Sequence, residues 1–97
     1  MRRIKFRAAA SADMRRIARD TKARWGHEQA ATYAANLRGD IKSLRKFSLR
    51  FPEFEGARDN LRRMNSGRHA VFYLVTDEAI EIVRVLHAAM DFDERLA

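Results

Sequence analysis

The stretch that most constrains the fold is Ile80-Glu81-Ile82-Val83-Arg84-Val85-Leu86-His87. Its β-branched and aliphatic side chains suit a pleated, buried surface. Strict alternation sends Ile80, Ile82, Arg84 and Leu86 to one face and Glu81, Val83, Val85 and His87 to the other. Each face is largely apolar, interrupted by Arg84 on one and by Glu81 and His87 on the other. That pattern describes a central strand covered on both sides, not an edge strand with one wet face.

A chain of 97 residues is expected to form one domain over 1–97, with room for a single modest core. No apolar run approaches the roughly 20 residues that span a bilayer, and the basic N-terminus has no secretory apolar segment. A cytoplasmic protein is therefore expected. The chain has no cysteine, which excludes disulfides, thiolate chemistry and Cys-type zinc sites. The net charge of +7 is uneven: residues 1–68 hold 18 Lys/Arg against 7 Asp/Glu, residues 69–97 hold 2 against 6. Such asymmetry points to an anionic partner, either nucleic acid, an acidic protein segment, or a protein that handles nucleic acid.

Met1 to Arg7 alternates as a short strand. Ser11 is a plausible N-cap, with Asp13 in the first turn, where the helix dipole favours a negative charge. Met14, Ile17, Ala18, Thr21 and Trp25 follow at helical spacing, and Gly26 suits a C-terminus. Ala30, Ala34, Leu37, Ile41 and Leu44 form the seam of a second helix over about His27 to Phe47, so an antiparallel helical hairpin is expected. Pro52 ends helical geometry before Phe51, and residues 48–60 read as a connector with Phe51 and Phe54 tucked over the core edge. Leu61–Met64, Arg68–Val75 and Ala79–His87 then read as three strands joined by turns at 65–67 and 76–78, an antiparallel meander. The expected class is α+β: an N-terminal strand, a helical hairpin, and a three-stranded antiparallel meander, with the helices on one face. The place of the first strand in the sheet is left open.

No nucleophile elbow, phosphate loop or paired catalytic carboxylates occur. His27, His69 and His87 lack metal-ligand spacing, so no metal is expected. His69, His87 and Arg84 hold the residue types for acid–base cleavage of RNA. Spacing alone offers His87 no partner base, however, and it reads better as the polar end of a buried strand. Arg84 on an aliphatic strand must be paired or reach water. Either Asp91 folds back onto it, or it belongs to a binding surface. Arg62 and Arg63 fall on opposite faces of their strand.

Several segments in order resemble the ParE family within the RelE/ParE toxin superfamily. They are the initial strand with Ala8-Ala9-Ala10-Ser11-Ala12-Asp13, Trp25-Gly26, Leu61-Arg62, Gly67-Arg68-His69-Ala70-Val71-Phe72-Tyr73, and Ile82-Val83-Arg84-Val85-Leu86-His87 with Met90-Asp91. The resemblance implies the α+β fold already inferred. It also implies a ParD-like antitoxin partner in a hetero-oligomer, and a toxin that inhibits DNA gyrase by protein–protein binding, with nucleic acid involved only indirectly. On this reading the chain is no enzyme: it has no catalytic residues and needs no cofactor. Arg62, Arg63, Arg84, His87, Met90 and Asp91 are the residues expected to meet antitoxin or target. The alternative is a ribosome-dependent mRNA interferase of the RelE branch, or an inactive homologue that binds antitoxin only. The interferase scaffold carries arginines where this chain has Ala70 and Ala88, which would remove cations needed to stabilise a phosphorane.

Overall fold

A computed structural model of the chain describes residues 2–53, 60–89 and 95–96. Six elements follow in order: β1 (Arg3–Phe6), α1 (Ala8–Trp25), α2 (His27–Phe47), β2 (Arg62–Ser66), β3 (His69–Val75) and β4 (Ala79–His87). The strands form one sheet in the order β1-β4-β3-β2. The α+β architecture expected from the sequence is the one found. β1 docks parallel to β4, with Ile4 opposite Ile80 and Phe6 opposite Ile82, while β2, β3 and β4 pair antiparallel. A parallel pair needs a long crossover, here supplied by everything between β1 and β4.

The start of α1 differs from expectation. The helix begins at Ala8, with Arg7 at its N-cap and no side-chain cap bond, and Ser11 already donates its backbone N–H to Arg7 O at 2.9 Å. Three consecutive alanines, the strongest helix formers, outweigh the capping preference of Ser11. Asp13 consequently lies beyond the first turn and is buried. At the other end only Gly26 separates the helices. Its φ of 86° and ψ of 173° are backbone values that residues with a Cβ avoid. The hairpin is antiparallel, since Ser11 and Met14 of early α1 border one groove with Arg38, Ile41 and Arg45 of late α2. Of the seam expected on α1, Ile17 and Thr21 are buried, whereas Ala18 and Trp25 are exposed.

Both faces of the sheet are covered, as the residue pattern of β4 demanded. Leu37, Ile41 and Leu44 of α2 and Ile17 of α1 pack on Met64, Val71, Tyr73, Ile80, Ile82 and Val85. The opposite face gathers Leu61, Ala70, Phe72, Val83 and Leu86. Strict alternation along β4 fails, however. Tyr73 pairs with Ile82 but its neighbour Phe72 pairs with Arg84, so Val83 is an extra residue, a β-bulge. Beyond a bulge the parity reverses. Ile82 and Val85 therefore share the helix-side core, and Leu86 falls on the other side. β2 is also displaced from expectation, running to Ser66, so the turn centres on Gly67 and Arg68. The connector is tied down by Tyr73, whose buried hydroxyl donates to Ser48 O at 2.8 Å, and by Phe51, which packs on the helix-side core. Burial pushes the Tyr73 phenol up to about 12. Phe54 lies outside the described residues.

Candidate functional site

β1 ends at Phe6, leaving the last half of β4 without a strand on that side. Helix α1 covers this edge, and Asp13 serves it: its Oδ2 accepts the Val85 backbone N–H at 2.9 Å, in place of a ladder bond. The same carboxylate takes both ends of the Arg84 fork, Nε at 2.7 Å and Nη2 at 2.8 Å, and Arg16 Nη2 at 2.8 Å. Burial alone would push the Asp13 carboxyl up. The hydrogen bonds from Arg84, Val85 and Arg16 outweigh it and hold the group below the usual carboxylate range. The buried carboxylate is fully used, and the partner of Arg84 is Asp13. Asp91, the expected partner, lies outside the described residues.

Past this lock, the end of α1, the Gly67 turn and the end of β4 enclose a cleft of about 390 Å³, bordered by Arg16, Asp20, Arg24, Trp25, Arg68, His69 and His87. Four rings form a row, three of them bordering the cleft: Trp25 to Tyr33 at 6.3 Å between centroids, Tyr33 to His69 at 5.5 Å and His69 to His87 at 5.5 Å. Tyr33 Oη accepts the Arg68 backbone N–H at 2.9 Å and stands 2.6 Å from His69 Nδ1, with Ser66 O farther at 3.3 Å. The shorter contact ties the His69 ring to the hydroxyl, and which of the two donates follows the imidazole tautomer. Burial first, then the charges of His87 and Arg16, lower the His69 pKa and favour its neutral form. Gly67 makes the close approach possible, because a Cβ there would lie 2.7 Å from the Tyr33 hydroxyl.

The bulge at Val83 assembles the two histidines. Continued without it, the register of Val75 opposite Ile80 would set His69 opposite Leu86; with it, His69 faces His87. The pairing was therefore invisible to residue spacing. Trp25, Tyr33, Arg16, Arg24 and Arg68 were not read from the sequence as site residues either. Tyr33 and Trp25 have the spacing of core positions, and only the Gly67 turn folding against α2 reveals their role.

Of the residues expected to bind antitoxin or target, His87 is exposed at the cleft, where its Nδ1 accepts the Ala89 N–H at 3.1 Å. That backbone bond is the one expected of a polar strand end. Arg84 is bound to Asp13, and Arg62 Nη1 donates to Phe51 O at 2.6 Å, pinning the connector. Arg63 lies on the opposite face, in one row across the sheet with Phe72 and Arg84, and its Nε donates to Asn65 Oδ1 at 3.0 Å. Arg62 and Arg63 are thus divided by the sheet, as alternation required. Met90 and Asp91 lie outside the described residues. His27 is exposed at the start of α2 and takes no part in the cleft. No group of three or more metal-ligating side chains occurs among the described residues, and no helix there is long and apolar enough to cross a membrane.

A second concavity, about 540 Å³, lies between β1 and the helical hairpin. Ile4, Phe6, Met14 and Ile41 provide apolar walls, and Arg3, Arg38, Lys42 and Arg45 surround them with positive charge. Among the described residues none of these four cations is ion-paired.

Comparison with known proteins agrees with the fold and its order of elements. Residues 4–92 match the family described as "ParE toxin of type II toxin-antitoxin system, parDE". The chain is 37% identical over 91 residues to Toxin ParE1 of Caulobacter vibrioides, covering 94% of each protein. It is 36% identical over 89 residues to Toxin ParE1 of Mycobacterium tuberculosis, covering 91% of each. A chain of the chromosomal ParDE system from P. aeruginosa superposes with a TM-score of 0.78 at 18% identity, over 90% of this chain and 96% of that one. On the sequence match and the shared architecture, the chain belongs to the ParE toxin family of type II toxin–antitoxin systems.

Proposed function

We propose that this toxin acts without covalent chemistry, by binding DNA gyrase and stalling it on cleaved DNA in the cytoplasm, and that a ParD-like antitoxin neutralises it. The observation that carries the reading is the ParE match along residues 4–92. The geometry supports it in one respect. Arg84, the strand arginine nearest the histidines in sequence, is held by the buried Asp13 carboxylate and is engaged in the fold rather than presented to a substrate phosphate.

The antitoxin is seated in the groove between β1 and the hairpin. Apolar walls, with four cations that have no ion pair among the described residues, complement an acidic amphipathic segment, which would bury its apolar side chains and meet Arg3, Arg38, Lys42 and Arg45 with carboxylates. His87 and Arg63 remain candidates for target contact, while Arg62 and Arg84 support the surface from within.

Purified toxin added to gyrase, supercoiled DNA and ATP is expected to trap cleaved DNA, and an excess of antitoxin to abolish the effect. The assembled His69–His87 pair with Tyr33 favours a second reading, phosphodiester cleavage, which spacing alone did not support. Cutting of mRNA on ribosomes by a toxin that leaves gyrase untouched would establish that reading and remove the first. Binding of antitoxin with neither activity would leave an inactive homologue.

A further inference from the structure

The cleft beside Trp25 has a composition that gyrase inhibition does not explain. It brings together three guanidinium groups, Arg16, Arg24 and Arg68, two imidazoles and an indole, with Asp20 the one carboxylate bordering it among the described residues. Arg16 is already shared with Asp13. Among the described residues neither Arg24 nor Arg68 is ion-paired. Arg68 lies instead over the indole of Trp25, with its guanidinium carbon 4.5 Å from the ring centroid, and both residues border the cleft. Trp25 is 37% exposed, although an indole of this size would ordinarily be drawn into the core.

Unpaired guanidinium groups around a concave site favour a phosphate, which they can grip with paired donors. A half-exposed indole paired with a guanidinium beside them favours the face of a nucleobase, because stacking on an aromatic ring or a guanidinium plane is indifferent to which base is present. Duplex DNA presents its bases edge-on within a stack and could not use that pair. We propose that this cleft binds the phosphodiester backbone of single-stranded nucleic acid, with Arg24 and Arg68 on the phosphate and an unstacked base on the Trp25–Arg68 pair. The His69 and His87 side chains border the same cleft and would face the same phosphate. This departs from the sequence-based expectation that nucleic acid is met only indirectly. It does not rest on the gyrase reading, and an assay containing no gyrase separates the two.

Trp25 is the single tryptophan of the chain and reports directly on the site. The full-length toxin is titrated with a tetrathymidylate and, separately, with inorganic phosphate, following Trp25 fluorescence and the ring resonances of His69 and His87. The expected result is saturable quenching and shifted ring resonances with the oligonucleotide, at concentrations at least tenfold below those needed with phosphate. Arg24→Gln and Arg68→Gln should each weaken binding roughly tenfold. Arg15→Gln, the same charge change on the same helix away from the cleft, should weaken it less than twofold. Arg24 is exposed on the last turn of α1, so its variant reads binding even if Arg68→Gln disturbs the Gly67 turn. Equal losses in all three variants would mean only diffuse attraction to a basic surface, and would overturn the proposal. So would saturation by phosphate with no preference for the oligonucleotide, or an unresponsive Trp25.

Discussion

Asp13 is the residue on which the interior polar chemistry turns. It is 1% exposed, yet receives two bonds from Arg84, one from Arg16 and one from the Val85 backbone. Removing one member of a buried pair costs about 3–5 kcal/mol, because the other charge is stranded. Asp13→Ala and Arg84→Glu should both lower urea-unfolding stability by that order at pH 7. The pH dependence follows from the lowered Asp13 pKa. A carboxyl depressed in the folded state contributes fully above its unfolded value of about 3.9, and the contribution fades as pH falls through the folded value. The stability gap between the native chain and Asp13→Asn should therefore be widest at neutral pH and close below about pH 4. Two glycines make opposite predictions. Gly39 is helical, with nothing within 4 Å of the point where a Cβ would stand, so Gly39→Ala should stabilise by about 1 kcal/mol. Gly67→Ala would meet Tyr33 at 2.7 Å and should destabilise, with the loss visible as a shifted His69 ring resonance.

At the scale of elements, β4 performs three tasks with nine residues. It pairs with β1 over its first half, lies along α1 over its second, and carries the bulge that reverses its parity between them. The bulge falls where β1 ends, so the change of neighbour and the change of face coincide. One measurement separates the Asp13 cap from general packing. In Asp13→Asn the Val85 amide should exchange with solvent at least tenfold faster relative to the Val71 amide, which lies within the β2–β3–β4 ladder. Equal acceleration of both would show that Asp13 acts through global stability alone. The hairpin bend has its own test. Gly26 has open space around it but a positive φ, so Gly26→Ala should cost about 1–3 kcal/mol through backbone strain without any clash.

At the scale of the molecule, seven of the 20 Lys/Arg side chains border two concavities, a groove with apolar walls and a cleft bordered by rings. The two concavities make separable predictions. Antitoxin binding through the groove should weaken with added salt, and Arg38→Gln with Arg45→Gln should reduce that salt dependence while leaving Trp25 fluorescence unchanged. The residues around the groove come from three elements, and those around the cleft from α1, the Gly67 turn, β3 and β4. Neither concavity is therefore a stretch of sequence. Residue order alone was enough to set the number and kind of elements, the two-sided burial of residues 80–87 and the family, because side-chain periodicity and turn chemistry are local properties. Tertiary structure decided the parallel docking of β1, the Asp13–Arg84 lock and the meeting of His69 with His87. Each of those depends on which backbone groups are left without partners once the sheet is assembled. One extra residue at Val83 moves every later side chain of the strand to the other face, and the composition of that strand carries no mark of it.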